Sequence, residues 1–109
     1  MSRYFPAPAE CGHHTVFGNV PITTYAGERL QLSAVVIPAD GVVDWHAHAN
    51  EQMGMVISGR ALFHIGDEVK ELQPGDMFFI PGNTRHKVVP IDGPLRAIDA
   101  FYPIRDEYR

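Results

Sequence analysis

The sequence predicts an all-β domain closed into a barrel, or nearly so. Two observations carry this. Ten glycines and nine prolines interrupt the 109 residues at short intervals, which breaks helices and marks turns. Between them lie short runs of β-branched, aromatic and aliphatic residues, the signature of a sandwich or barrel. No stretch reads as a helix.

The elements follow in order. Arg29 to Pro38 reads as a strand with Leu30, Leu32, Ala34 and Val36 on one face, and Pro38 ends it. Ala39-Asp40-Gly41 is a turn and Val42 to His48 a second strand. Gln52 to Ser58 forms a third strand, ended by Gly59, and Arg60 to Ile65 a fourth. Gly66-Asp67 is a hairpin signal that returns Glu68 to Leu72 as a fifth. Turns at Gln73-Pro74-Gly75-Asp76 and Pro81-Gly82-Asn83-Thr84 bracket the apolar run Met77 to Ile80. His86 to Val89 and, past Asp92-Gly93-Pro94, Leu95 to Tyr102 complete the set. About eight strands can enclose one small ligand. Residues 27–109 are expected to form the barrel, with 1–26 packing on it or on a partner.

Composition narrows the function classes. The hydrophobic fraction is 45%, the charged fraction 20% and the net charge −4, ordinary values for a globular domain. Lys and Arg are scattered, so nucleic acid is not an expected partner. No apolar run is long enough to cross a bilayer and no basic amphipathic helix suggests a membrane surface. The segment Met1 to Glu10, with Pro6 and Pro8, does not read as a signal peptide. The single cysteine, Cys11, forms no disulfide within the chain. The expected location is the cytoplasm.

Six histidines are many for this length. His46 and His48 are spaced i and i+2, which in a strand puts both on one face, where two imidazoles can chelate one metal ion. Taken alone, such a pair reads as two half-exposed strand histidines. The surrounding residues change that reading. Gly41, Trp45-His46-Ala47-His48, Glu51-Gln52 and Gly59 resemble the first motif of the cupin superfamily, and Gly75-Asp76, Pro81, Asn83 and His86 resemble the second. The resemblance implies a single-domain cupin barrel (a jelly roll, or double-stranded β-helix) in which both motifs line the cavity and supply metal ligands. Gly41 to His46 is one residue shorter than the usual spacing. Asn83 stands where glycine is common, but asparagine tolerates the left-handed backbone such a turn needs.

Either Glu51 or Gln52 could be the third ligand of the first motif. Gln52 shares parity with the histidines, but the Ala49-Asn50 connection can reset the register. Cupins with this Glu-Gln ending commonly use the glutamine, so the resemblance implies a metal set of His46, His48, Gln52 and His86. Two histidines with one carboxylate would be the face of an iron oxygenase. Three imidazoles and an amide carry no charge and suit a Lewis acid that attracts an anionic oxygen. One divalent transition metal ion is expected, among zinc, nickel, manganese, iron and copper.

Asp99 and Phe101 are also spaced i and i+2, with Pro103 and Arg105 beyond. Spacing alone reads them as a surface acid, a core ring and a solvated cation. A narrower resemblance covers Gly27-Glu28-Arg29-Leu30, Glu51-Gln52 and Asp99 through Arg105. It is to the KdgF group of small cupins in pectin and alginate catabolism, which open 4,5-unsaturated monouronates to linear 4-deoxy-5-keto sugar acids. That likeness implies Asp99 as general acid/base, Phe101 as the residue that positions the sugar, Arg105 as the grip on its carboxylate, and Gln52 as both ligand and substrate contact. Many relatives have histidine where this chain has Asn50. A cupin dioxygenase and a non-catalytic small-molecule-binding cupin are the competing readings.

The remaining signals read as structure. His64 is expected to be packed or at a rim, and His13 and His14 at the surface near a dimer contact. Trp45, of opposite parity to the histidines, is expected in the core or at an interface. Met53, Met55, Met77, Phe78 and Phe79 read as core. Tyr4, Phe5, Tyr102 and Tyr108 crowd the two ends and suggest a homodimer.

Overall fold

The computed structural model describes residues 2–109. Eight strands form: β1 (Gly12–Val16), β2 (Val20–Ala26), β3 (Gln31–Ile37), β4 (Val43–His46), β5 (Glu51–Ile65), β6 (Glu68–Leu72), β7 (Met77–Ile80) and β8 (His86–Tyr102). Single 3-10 turns lie at Pro8–Glu10 and Asp106–Tyr108. All pairings are antiparallel, in the order β1-β2-β3-β8-β5-β6, with β4 also on β8 and β7 also on β5.

β5 and β8 are each longer than the sequence suggests. Gly59 does not end a strand. Its backbone turns to φ +82° and the ladder with β8 shifts register around Ser58, so the chain bends and continues. In β8, Asp92 and Gly93 take positive φ, and the strand carries on through Pro94. The first half of β8 pairs with β4 and the second half with β3, so one bent strand serves both walls. A bulge preserves the hydrogen-bonded ladder on either side, which is why glycine here marks a bend rather than a terminus.

The walls enclose a core of Val20, Ile22, Ile37, Val56, Ala61, Phe63, Leu72, Val88, Leu95 and Ala97. Side-chain alternation decides which residues join it. On β3 the inward face carries Gln31, Ser33 and Ile37, whereas Leu32, and Leu30 just before the strand, are exposed. The same parity turns Met53, Met55, Met77 and Phe79 outward; of the five residues expected in the core from 53 to 79, only Phe78 packs against it. Trp45 is likewise outside the core, with the Arg85 guanidinium 4.4 Å above its ring and His64 at its edge. Tyr4, Phe5 and Tyr102 are exposed, but Tyr108 packs inward against the core. Among the described residues no helix is long and apolar enough to cross a membrane.

Candidate metal centre and its cavity

The register of the ladders assembles the site. Gln31 on β3, Phe101 on β8, Gln52 on β5 and Ile80 on β7 form one inward row across four strands. Ser33, Asp99, Gly54 and Phe78 form the next. His46 pairs with His86 across β4 and β8. His48 lies just beyond the end of β4, in a loop that the second motif ties down: the Asn83 N–H donates to the His48 carbonyl at 2.7 Å. Asn83 holds φ +63°, the left-handed conformation expected of that turn.

The three imidazoles present one donor atom each within 4.8 Å of one another. Backbone carbonyls fix their orientation. His46 Nδ1 lies 2.8 Å from the Asp44 carbonyl, His48 Nδ1 3.0 Å from that of Asn50 and His86 Nδ1 2.8 Å from that of Thr84. A carbonyl only accepts, so each Nδ1 carries the proton and each Nε2 keeps a lone pair. Burial favours these neutral rings. Desolvation lowers the pKa of all three, with the Arg105 charge acting in the same direction, and His86 falls to about 4.

The donor set fits a divalent cation. His86 Nε2 is buried without a hydrogen-bond partner. Gln52 Oε1 stands 3.0 Å from His48 Nε2, two acceptors turned toward each other. Such a pair is repulsive unless a positive charge is shared between them. Gln52 is buried and Glu51 exposed, so the amide rather than the carboxylate faces the histidines.

Beside them runs a cavity of about 80 Å³ lined by Asp99, Phe101 and Arg105 among others. Phe101 meets the His48 ring edge-on at 5.7 Å. Asp99 is buried, its Oδ1 unpartnered. Burial raises its pKa to about 7, against the opposing pull of a Gln52 hydrogen bond. The Arg105 guanidinium lies over the rings of Tyr108, at 4.6 Å, and Phe101, at 5.5 Å, and its Nε donates to Glu107 at 2.9 Å. Asp99 and Arg105 are therefore neither a surface acid nor a fully solvated cation, as spacing alone would have them. His13, His14 and His64 lie outside the three-histidine group.

Two contributors were not singled out in the sequence. Gly54 lies opposite Asp99, and a Cβ there would come within 2.5 Å of Asp99 Oδ1 and of the Ile98 carbonyl oxygen. A glycine inside a strand is the available signal for such a close approach. Gln31 is the second; it reads as an ordinary polar strand residue, and nothing local distinguishes it.

A barrel with these two histidine-bearing segments facing one cavity defines a cupin, and the chain belongs to that family: the cupin domain model matches residues 23–101. Among curated relatives, an uncharacterised protein of Methanocaldococcus jannaschii is 30% identical over 81 residues, 72% of this chain. The chain spans 65% of that relative's length. An RmlC-like cupin from Shewanella frigidimarina shares the fold with a TM-score of 0.86 at 22% identity, over 99% of this chain and 97% of that one. KdgF from a Halomonas species does so with a TM-score of 0.82 at 28% identity, over 94% and 97%.

Proposed function

We propose that the protein is a metal-dependent enzyme that ketonises 4,5-unsaturated monouronates by opening the sugar ring. The observation that carries this is the placing of Asp99, buried and with an unpartnered carboxylate oxygen, in the same cavity as Gln52, His46 and His86. Its likeness to KdgF from Halomonas supports the same reading. His46, His48, His86 and Gln52 would hold one divalent transition metal ion. When bound, such an ion supplies Lewis-acid stabilisation of an oxyanion.

The chain's own residues account for the rest. Among the described residues Arg105 is the one Lys or Arg lining the cavity, and it offers the uronate carboxylate a bidentate partner. Phe101 supplies an apolar face for the ring. The reaction is an isomerisation. A proton leaves the C1 hydroxyl, the bond from C1 to the ring oxygen breaks, C1 becomes an aldehyde, C5 becomes a ketone and C4 gains a proton. A carboxyl group with pKa about 7 can both take and return a proton near neutrality, which suits Asp99 to the transfer.

The test is incubation of metal-loaded protein with an unsaturated monouronate, following loss of the conjugated ultraviolet absorbance and appearance of the open-chain product by NMR. Product formation is the expected result. Tight binding without conversion would overturn the enzyme reading in favour of a binding module, and oxygen consumption by iron-loaded protein would favour a dioxygenase. Gly54→Ala is expected to push the Asp99 carboxyl aside and lower kcat about 100-fold with metal content unchanged; unaltered kcat would show that Asp99 needs no such notch.

The proposed partner is a second copy of the chain. Tyr25, Leu32, Ala100, Met53 and Phe79 run side by side across the outward faces of β2, β3, β8, β5 and β7. Ile98, Met55 and Met77 form the neighbouring row. Monomers rarely leave so continuous an apolar face in water. Sedimentation is expected to give a dimer, and Met53→Glu a monomer; a monomeric wild type would refute the assignment.

A further inference from the structure

The residues 103–109 cross one side of the cavity and carry Arg105, and their hold on the barrel comes from side chains outside the metal site. Gln31 is the principal one. It sits at the start of β3, in register with Phe101, and is 1% exposed. Its Oε1 accepts the Arg105 N–H at 2.8 Å, and its Nε2 donates to the Arg105 carbonyl at 3.3 Å and to the Tyr108 carbonyl at 3.0 Å. Both amide protons are thereby used within the protein, so Gln31 lines the cavity with no donor left for a ligand. Thr24, also buried, donates its hydroxyl to the same Tyr108 carbonyl. Asn50 Nδ2 donates to the Pro103 carbonyl at 2.6 Å, at the other end of the segment.

These bonds bear on the guanidinium. Arginine has four rotatable side-chain bonds, and an exposed one samples many rotamers. Here its backbone is gripped at both its N–H and its carbonyl, and its side chain is bracketed by Tyr108, Phe101 and Glu107. Tyr108 is itself one of the points that Gln31 holds. One buried amide thus fixes both the cation and the ring on which it rests.

We infer that Gln31 is the positioning residue of the anion subsite: by clamping Arg105 and Tyr108 it holds the 103–108 segment across the cavity and sets Arg105 where it can grip a carboxylate. The anion half of this inference rests on the uronate reading above; the clamp does not. Gln31 lies outside the histidine cluster and its amide is engaged with the Arg105 and Tyr108 backbone, so its effect on the anion passes through Arg105.

The test compares metal-loaded wild type, Gln31→Met, Arg105→Met and the double variant. Gln31→Met keeps side-chain length and removes all three bonds. The readouts are amide hydrogen exchange at Arg105, D-glucuronate binding by calorimetry and metal content. In Gln31→Met, exchange at Arg105 is expected to rise at least about tenfold and glucuronate affinity to fall about tenfold, with metal content unchanged. In the Arg105→Met background, Gln31→Met is expected to cost no further affinity. Equal losses in both backgrounds would overturn the positioning role. Unchanged exchange at Arg105 would overturn the clamp. Absence of glucuronate binding in the wild type would sink the anion subsite and the uronate reading together, while the exchange result would still decide the clamp. Thr24→Val, nearly isosteric, gives the same comparison with a smaller effect should Gln31→Met fold poorly.

Discussion

Asp99→Asn is expected to lower kcat on an unsaturated monouronate by about 100-fold or more, with one metal ion per chain retained. Asparagine keeps the size and a hydrogen-bonding oxygen but cannot exchange a proton, so the comparison isolates proton transfer from binding. Steady-state kinetics beside elemental analysis reads both quantities, and full activity in the variant would remove Asp99 from the mechanism. A stability signature should accompany it in the metal-free protein. The native carboxyl titrates near 7 and the unfolded one near 3.8 because burial penalises the charged form. The native state therefore binds this proton more tightly, so the stability Asp99 contributes is present below pH 3.8 and is lost as pH rises through about 7. The full loss is on the order of 4 kcal/mol. Asp99→Asn removes it, so the variant should gain in Tm relative to wild type between about pH 5 and about pH 8. Parallel Tm curves across that range would show that Asp99 is not buried as a neutral acid.

His86→Ala is expected to weaken metal binding by at least about 100-fold and to leave a purified protein without metal. The reason is geometric: His86 lies opposite His46 on the neighbouring strand and its Nε2 has no other partner. Wild type should gain in Tm when metal is added, because only the native state assembles the donors, and a chelator should reverse the gain. Near-stoichiometric metal in His86→Ala would place the centre elsewhere. The same residue sets an acid limit. Its native pKa of about 4 lies below the ordinary 6.5, so the native state resists the proton that the unfolded chain accepts. The associated stability is complete above pH 6.5 and is lost as pH falls through about 4. Metal affinity should decline over the same interval as protons compete for the imidazoles.

The cluster of His46, His48 and His86 was legible because its signal is local. The spacing of His46 and His48, and the glycine and proline turns around His86, are set by strand and turn geometry over a few residues. The all-β class was legible for the same reason. Where local signals misled, a tertiary contact had taken precedence. Gly59 and the Asp92-Gly93-Pro94 run look like breaks, yet two long strands pass through them because pairing on both sides holds the ladder together. The methionines of β5 and β7 look like core by composition, but parity against the cavity row turns them outward. Asp99 has no local feature that distinguishes a solvated acid from a buried one; its register opposite Ser33 and Gly54 puts it inside.

Residue types and their spacing along the chain were enough for the class of fold, for the grouping of His46, His48 and His86, and for the resemblance that brought Gln52, Asp99 and Arg105 into view. Tertiary structure alone decided that Gln52 rather than Glu51 turns inward, that Gly54 leaves room for the Asp99 carboxyl, and that Gln31 reaches the Arg105 backbone across the barrel. The difference is one of range. Residue type and spacing encode what neighbours along the chain can do. Burial, and the pKa shifts that follow from it, depends on which strands lie beside one another, and antiparallel pairing here joins residues up to about seventy positions apart.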